Sequence, residues 1–147
     1  MFWAGLSREK TTPLFPIFGT INGDSYITIF REKVIPWMRK RGNRGLILQQ
    51  DNAPPHISRA TKRFFQDERV DVLEWPPNSP DLNPIENAWS FLKDMIGIRS
   101  PKSLQELESI ACEEWDNLPK TLLINLIDSM PRRIAEVINR KGEKADY

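Results

Sequence analysis

The sequence holds one cysteine, Cys112, and one histidine, His56. A lone thiol allows no internal disulfide and fits a reducing compartment. With one Cys and one His far apart in sequence, a zinc site built of Cys and His is not expected. No apolar run approaches the roughly eighteen residues that a membrane span needs. Met1-Phe2-Trp3-Ala4-Gly5 lacks a basic region followed by an apolar stretch, so it does not read as a signal peptide. Neither a phosphate-cradling glycine loop nor a Gly-x-Ser-x-Gly elbow is present. No internal repeat or low-complexity segment appears. Net charge is only +1, so bulk electrostatics do not announce nucleic acid. These absences point to a soluble intracellular protein without membrane association.

What is present is ordinary for a globular chain: 39% hydrophobic and 28% charged residues over 147 positions. That length makes one domain or part of one, and it can bury about two-thirds of its unfolded surface. Positive charge is local. Arg39-Lys40-Arg41 with Arg44, then Arg59, Lys62 and Arg63, then Arg132-Arg133 and Arg140-Lys141 form clusters. Solvated helix faces and partners for helix C-terminal dipoles account for each cluster as well as a nucleic-acid contact does.

Met1 to Leu6 and Pro13 to Phe18 read as two strands of a hairpin. Asn22-Gly23-Asp24 offers a turn and an N-cap for a helix to about Arg41, with Gly42 and Gly45 at its stop. Pro36 is expected to kink it or end its regular part early. Leu46 to Asp51 reads as a buried-type strand ending in an acid. Pro54-Pro55 breaks the chain before a helix from Ile57 to Asp67, and Val70 to Trp75 is a further strand. Pro76 to Asp81 forms a rigid, proline-fixed loop. Helices follow over Pro84 to Ile96, Ser103 to Asn117, Lys120 to Ser129 and Pro131 to Lys141. This order calls for an α/β fold with a mixed sheet flanked by helices. Residues 1–98 would make the core and 99–147 a helical extension.

Two carboxylates stand out. Asp51 ends a strand, where open sheets place ligand sites, although Asp-Asn after a strand is also common turn chemistry. Glu86 is three residues past Asn83, with Pro84 between, which resembles a capping box. The apolar stripe of that helix is Ile85, Ala88, Trp89, Leu92 and Ile96. Glu86 sits about 100° from Ile85, at the stripe's edge. Two carboxylates at about 4 Å repel by about 4 kcal/mol at an effective dielectric near 20. A divalent cation relieves that repulsion, and oxygen ligands favour Mg²⁺ or Mn²⁺.

The segment Gln50-Asp51-Asn52-Ala53-Pro54-Pro55-His56 resembles the Gln-Asp-Asn-Ala-Pro-x-His box of the Tc/mariner DDE transposases. Trp75-Pro76-Pro77-Asn78-Ser79-Pro80-Asp81-Leu82-Asn83-Pro84-Ile85-Glu86-Asn87-Ala88-Trp89 is similar to the same family's second signature. Between Asp51 and Glu86 lie 34 positions, 52 to 85, the spacing of that family's second and third acids. Ser129-Met130-Pro131-Arg132-Arg133 resembles its closing motif, and Gly142 with Tyr147 its usual end.

The resemblance implies a ribonuclease H-like fold with Asp51 and Glu86 as catalytic, metal-binding acids. It implies two Mg²⁺ or Mn²⁺ ions and phosphoryl transfer on DNA, giving strand cleavage and strand transfer. Asn52 and His56 become candidates for supporting those acids or facing DNA, and Asn83 for orienting the helix of Glu86. Arg59, Lys62, Arg63 and Lys93 become candidate phosphate contacts. Transposon-end and target DNA would be the partners, with no small-molecule substrate. A homodimer and a nuclear location are expected on the same ground. The family's first acid lies on a central strand upstream of the Met1–Leu6 segment, and this chain begins after it and after the family's helix-turn-helix modules. The chain by itself is therefore expected not to cleave DNA. The alternative is a non-catalytic transposon relic that binds DNA or protein, or one that has no function at all.

Overall fold

In the computed structural model, described for residues 1–40, 46–77 and 79–141, aromatic side chains start the fold as the expected hairpin. Strand β1 (Phe2–Trp3) pairs antiparallel with β2 (Phe15–Pro16), Trp3 opposite Phe15. Their rings stack with centroids 5.9 Å apart, a cross-strand pair of the kind that contributes about 0.2–1 kcal/mol. The ladder is shorter than expected. Pro13 and Pro16 remove two donors, and beyond Trp3 only an isolated bridge joins Leu6 to Thr11.

Asn22 caps α1 (Gly23–Ile29) reciprocally with Ser25: Ser25 N–H donates to Asn22 Oδ1 at 2.9 Å, and Asn22 N–H to Ser25 Oγ at 2.8 Å. Ahead of Pro36 the regular helix ends early, at Ile29, as expected, but the chain stays helical. The chain passes Pro36 through one wide turn, Phe30–Val34, in which Ile35 N–H reaches back five residues to the Phe30 carbonyl, and continues as α2 (Ile35–Lys40). Proline offers no N–H to the carbonyl four residues back and crowds it, so a wider turn accommodates the ring. Arg41, Gly42, Arg44 and Gly45 lie outside the described residues, as do Asn78, Gly142 and Tyr147.

Strand β3 (Ile47–Leu48) pairs parallel with β4 (Asp71–Val72). The described strands form two two-stranded sheets, one antiparallel and one parallel, so the two kinds of pairing are mixed as expected but lie in separate small sheets. The buried-type reading of Leu46 to Asp51 is corrected, since Ile47 is 60% exposed. Parallel strands are normally covered on both faces, and among the described residues β3 has a ladder on one side only. Pro54-Pro55 also acts differently from expectation. The pair opens a helical turn, α3 (Pro54–Ile57), because a proline at the first helical positions loses no intrahelical bond. Ser58 then caps α4 (Arg59–Asp67).

The remaining elements are a tight turn at Pro80–Leu82, α5 (Pro84–Arg99), α6 (Leu104–Asp116), α7 (Lys120–Asp128) and α8 (Met130–Asn139). The chain divides into two compact units, Gly19–Ser79 and the combination of Met1–Phe18 with Pro80–Tyr147. In the first, Tyr26, Phe30 and Phe65 are buried, with Phe30 and Phe65 edge to face at 4.9 Å. In the second, fully buried Trp115 stacks on Trp89 at 4.7 Å and donates its indole N–H to the Thr12 carbonyl at 2.8 Å. Ala88, Leu92, Ala111, Leu123 and Leu126 complete that core. The tail helices therefore share a core with the hairpin and α5.

Candidate metal and nucleic-acid site

The Asp51 carboxylate is built by its neighbours in sequence. Its Oδ1 accepts the Ala53 N–H at 3.0 Å, a local turn, and lies 2.6 Å from His56 Nδ1. The same ring nitrogen is 3.3 Å from the Asp51 carbonyl oxygen. Two acceptors facing Nδ1 put the imidazole proton on that atom. Helix α3 aims His56 there, its N–H held by the Ala53 carbonyl at 2.8 Å. Asp51 nonetheless keeps a side chain 61% exposed, so the carboxylate opens to solvent while its direction is set.

Behind His56 stands Tyr26, ring centroids 4.3 Å apart. Its hydroxyl donates to Gln50 Oε1 at 2.6 Å, and Gln50 Nε2 donates to the His56 carbonyl at 3.3 Å. Burial, and then the Asp51 charge, push the Tyr26 pKa well above its ordinary value, so the hydroxyl is a neutral donor. Asn52 turns to the main chain and donates from Nδ2 to the Trp75 carbonyl at 2.8 Å. Asp51, Asn52, His56, Lys62 and Trp75 line one cavity of about 580 Å³. Of the expected residues, the structure thus brings Asp51, Asn52, His56 and Lys62 together.

Glu86 is on the other unit, in the first turn of α5, exposed and without an ion pair or side-chain hydrogen bond among the described residues. The expected capping box is corrected here. Asn83 is the N-cap in extended conformation, but its side chain makes no cap bond. The Glu86 N–H that it would bind is taken at 3.1 Å by the carbonyl of Asn83 itself. Lys93, seven residues on, is exposed on nearly the same helical face as Glu86.

Arg59, Lys62 and Arg63 project from α4 into solvent, with Arg63 at 4.0 Å from Asp67 in an exposed pair. Sequence reasoning missed Tyr26, Gln50 and Arg133. Tyr26 carries no motif that marks it in the sequence, and Arg133 reads there as part of a basic cluster. Among the described residues no three His, Cys, Asp or Glu side chains are grouped to hold a metal. The donor chemistry of Asp51 and Glu86 nevertheless fits a hard divalent ion, since both present open carboxylate oxygens.

The fold is of the ribonuclease H-like class shared by the solved structures it matches, with Asp51 just beyond β3 and Glu86 in the first turn of α5. The chain belongs to the DDE superfamily endonucleases, whose sequence profile matches residues 3–108. It is 37% identical to the Tcb1 transposase of Caenorhabditis briggsae and 35% identical to the Tc1 transposase of Caenorhabditis elegans. Each match covers the whole chain, which spans about half, 54%, of each relative. Solved structures share the fold. A Mos1 transposase paired-end complex with the left transposon end superposes with TM-score 0.83 at 19% identity, covering 97% of this chain and 44% of that one. The Mos1 catalytic domain with raltegravir and Mn matches at TM-score 0.80 and 19% identity, covering 97% and 76%. The same domain with raltegravir and Mg matches at 0.71 and 21%, covering 97% and 75%. The fold expectation holds.

Proposed function

We propose that these residues form part of a transposase catalytic domain, contributing Asp51 and Glu86 to metal-dependent cleavage and transfer of DNA strands. The observation that carries the reading is the exposed Asp51 carboxylate, oriented by the Ala53 N–H and His56 beside an open cavity. Nothing in general turn chemistry requires a buried tyrosine bonded to a half-buried glutamine behind such an aspartate. Asp51 and Glu86 would hold Mg²⁺ or Mn²⁺, two ions in the complete site, which supply charge neutralisation at phosphate and an activated oxygen nucleophile. His56 sets the direction of Asp51, and Asn52 ties the turn to the chain beyond β4. Arg59, Lys62, Arg63 and Lys93 meet DNA phosphates, with transposon ends and target as partners. Homodimer formation and a nuclear location belong to the same reading.

Calorimetry of the 147-residue chain with Mn²⁺ tests it. Binding that is lost on either Asp51→Ala or Glu86→Ala supports the reading, and binding indifferent to both sinks it. The chain alone is expected not to nick supercoiled plasmid in Mn²⁺, because the resemblance matches only two of the family's three acids, Asp51 and Glu86, to residues of this sequence. Nicking abolished by those same substitutions would overturn that expectation.

A further inference from the structure

We infer that Arg133, on the C-terminal helix α8, is the positioning residue for the Glu86 carboxylate. The inference rests on the metal-site reading above. Arg133 is 3% exposed, and a buried guanidinium is costly unless its donors are met. Its Nε donates to Ser129 Oγ at 2.8 Å, Nη1 to the Asp81 carbonyl at 2.9 Å and Nη2 to Asn87 Oδ1 at 2.8 Å. Ser129 Oγ in turn donates to the Leu126 carbonyl at 2.6 Å, which anchors the base of the fork to the end of α7.

The two other arms bracket Glu86. Asp81 lies in the tight turn that leads into α5, and Asn87 directly follows Glu86. A planar fork bonded on both sides fixes the direction in which this first helical turn projects. Such a hold matters here because Asn83 makes no side-chain cap and the Glu86 side chain is exposed. Helix first turns carry unsatisfied N–H groups and fray readily, whereas a metal ligand must be held to about half an ångström. The C-terminal helices thus take part in the site through Arg133. Arg132 beside it is exposed, which separates the two members of what reads in sequence as one basic cluster.

The test uses the 147-residue chain, Arg133→Lys and Asn87→Ala. Lysine keeps the charge without the fork, and Asn87→Ala removes one arm's acceptor while leaving Arg133 in place. Mn²⁺ affinity is measured by calorimetry, and Mn²⁺ broadening of the Glu86 and Asp51 amide signals by NMR. Both variants should stay folded and lose affinity about tenfold. Broadening should fall at Glu86 and persist at Asp51. Folded variants with unchanged affinity and broadening would make Arg133 a core staple and overturn the inference, as would unfolding of both variants. A wild-type chain that Mn²⁺ broadens at neither acid sinks the metal-site reading itself, and this inference falls with it. Loss on Glu86→Ala but not on Arg133→Lys or Asn87→Ala sinks this inference alone.

Discussion

His56 Nδ1 stands 2.6 Å from Asp51 Oδ1 while its ring packs on Tyr26, so the one imidazole of the chain is fixed from behind and directed at a single carboxylate. A residue five positions downstream meets its partner because Pro54 and Pro55 start a helical turn at once. Support of this kind holds a ligand's orientation, and its removal typically costs 10- to 100-fold in metal affinity. His56→Ala should therefore weaken Mn²⁺ binding by about tenfold in calorimetry, with the far-UV spectrum unchanged. Equal affinity in the two proteins would show that the pair is only turn structure.

The hydroxyl behind that imidazole makes an alkaline prediction. The Tyr26 pKa is raised above its ordinary 10.0, by burial first and the Asp51 charge second. The folded state then binds this proton more tightly than the unfolded one. The resulting stability is fully present below pH 10.0 and is lost as pH rises above it, by about 1.4 kcal/mol per pH unit for one proton. Tyr26→Phe should lower stability by about 1 kcal/mol near neutrality, through the lost bond to Gln50, and remove that slope. Urea midpoints at several pH values above 10 check it. Parallel declines in both proteins would mean that another group titrates.

How far these features can be read from sequence depends on their range. The hairpin, the Asn22 cap and the stripe of α5 were legible because each is set by residues within a few positions of one another. Asp51 and Glu86 stood out through motif and spacing, and so did His56. Tyr26 behind His56 and Arg133 beneath α5 were hidden. Tyr26 reaches Gln50 across 24 positions, and Arg133 reaches Asp81 across 52. Neither contact leaves a periodic trace. The failed capping box at Asn83 has a different cause. The residue types were right, but the backbone carbonyl took the donor first. Ile47 was misjudged because composition reports what a strand is suited to pack against, not which neighbours are beside it.

Trp115 shows how firmly the tail belongs with the hairpin. It is fully buried, stacks on Trp89 and donates to the Thr12 carbonyl, 103 positions away in sequence. Trp115→Ala should cost about 3–5 kcal/mol, as large-to-small core changes do. Trp115→Phe refills part of the space but leaves the Thr12 carbonyl without its donor, a penalty of about 1–3 kcal/mol. Guanidinium denaturation followed by circular dichroism reads both. An alanine variant losing under about 1 kcal/mol would show that α6 contributes little to this core.

Helix α4 carries the most direct forecast for DNA. Each phosphate neutralised by a cation steepens the fall of log K with log salt by about 0.9 on duplex DNA. If Arg59, Lys62 and Arg63 each meet a phosphate, replacing all three by glutamine should flatten that slope by roughly 2 to 3. Fluorescence anisotropy with a labelled duplex between about 50 and 200 mM salt measures it. The three are not equivalent. Arg63 has Asp67 at 4.0 Å, an exposed i,i+4 pair that DNA must compete with, whereas Lys62 lines the cavity that holds Asp51. Lys62→Gln should therefore lower affinity more than Arg63→Gln, and the gap should narrow as salt screens the Arg63 pair. A triple variant with the wild-type slope would take α4 out of the DNA interface and leave its three cations as a solvated helix face.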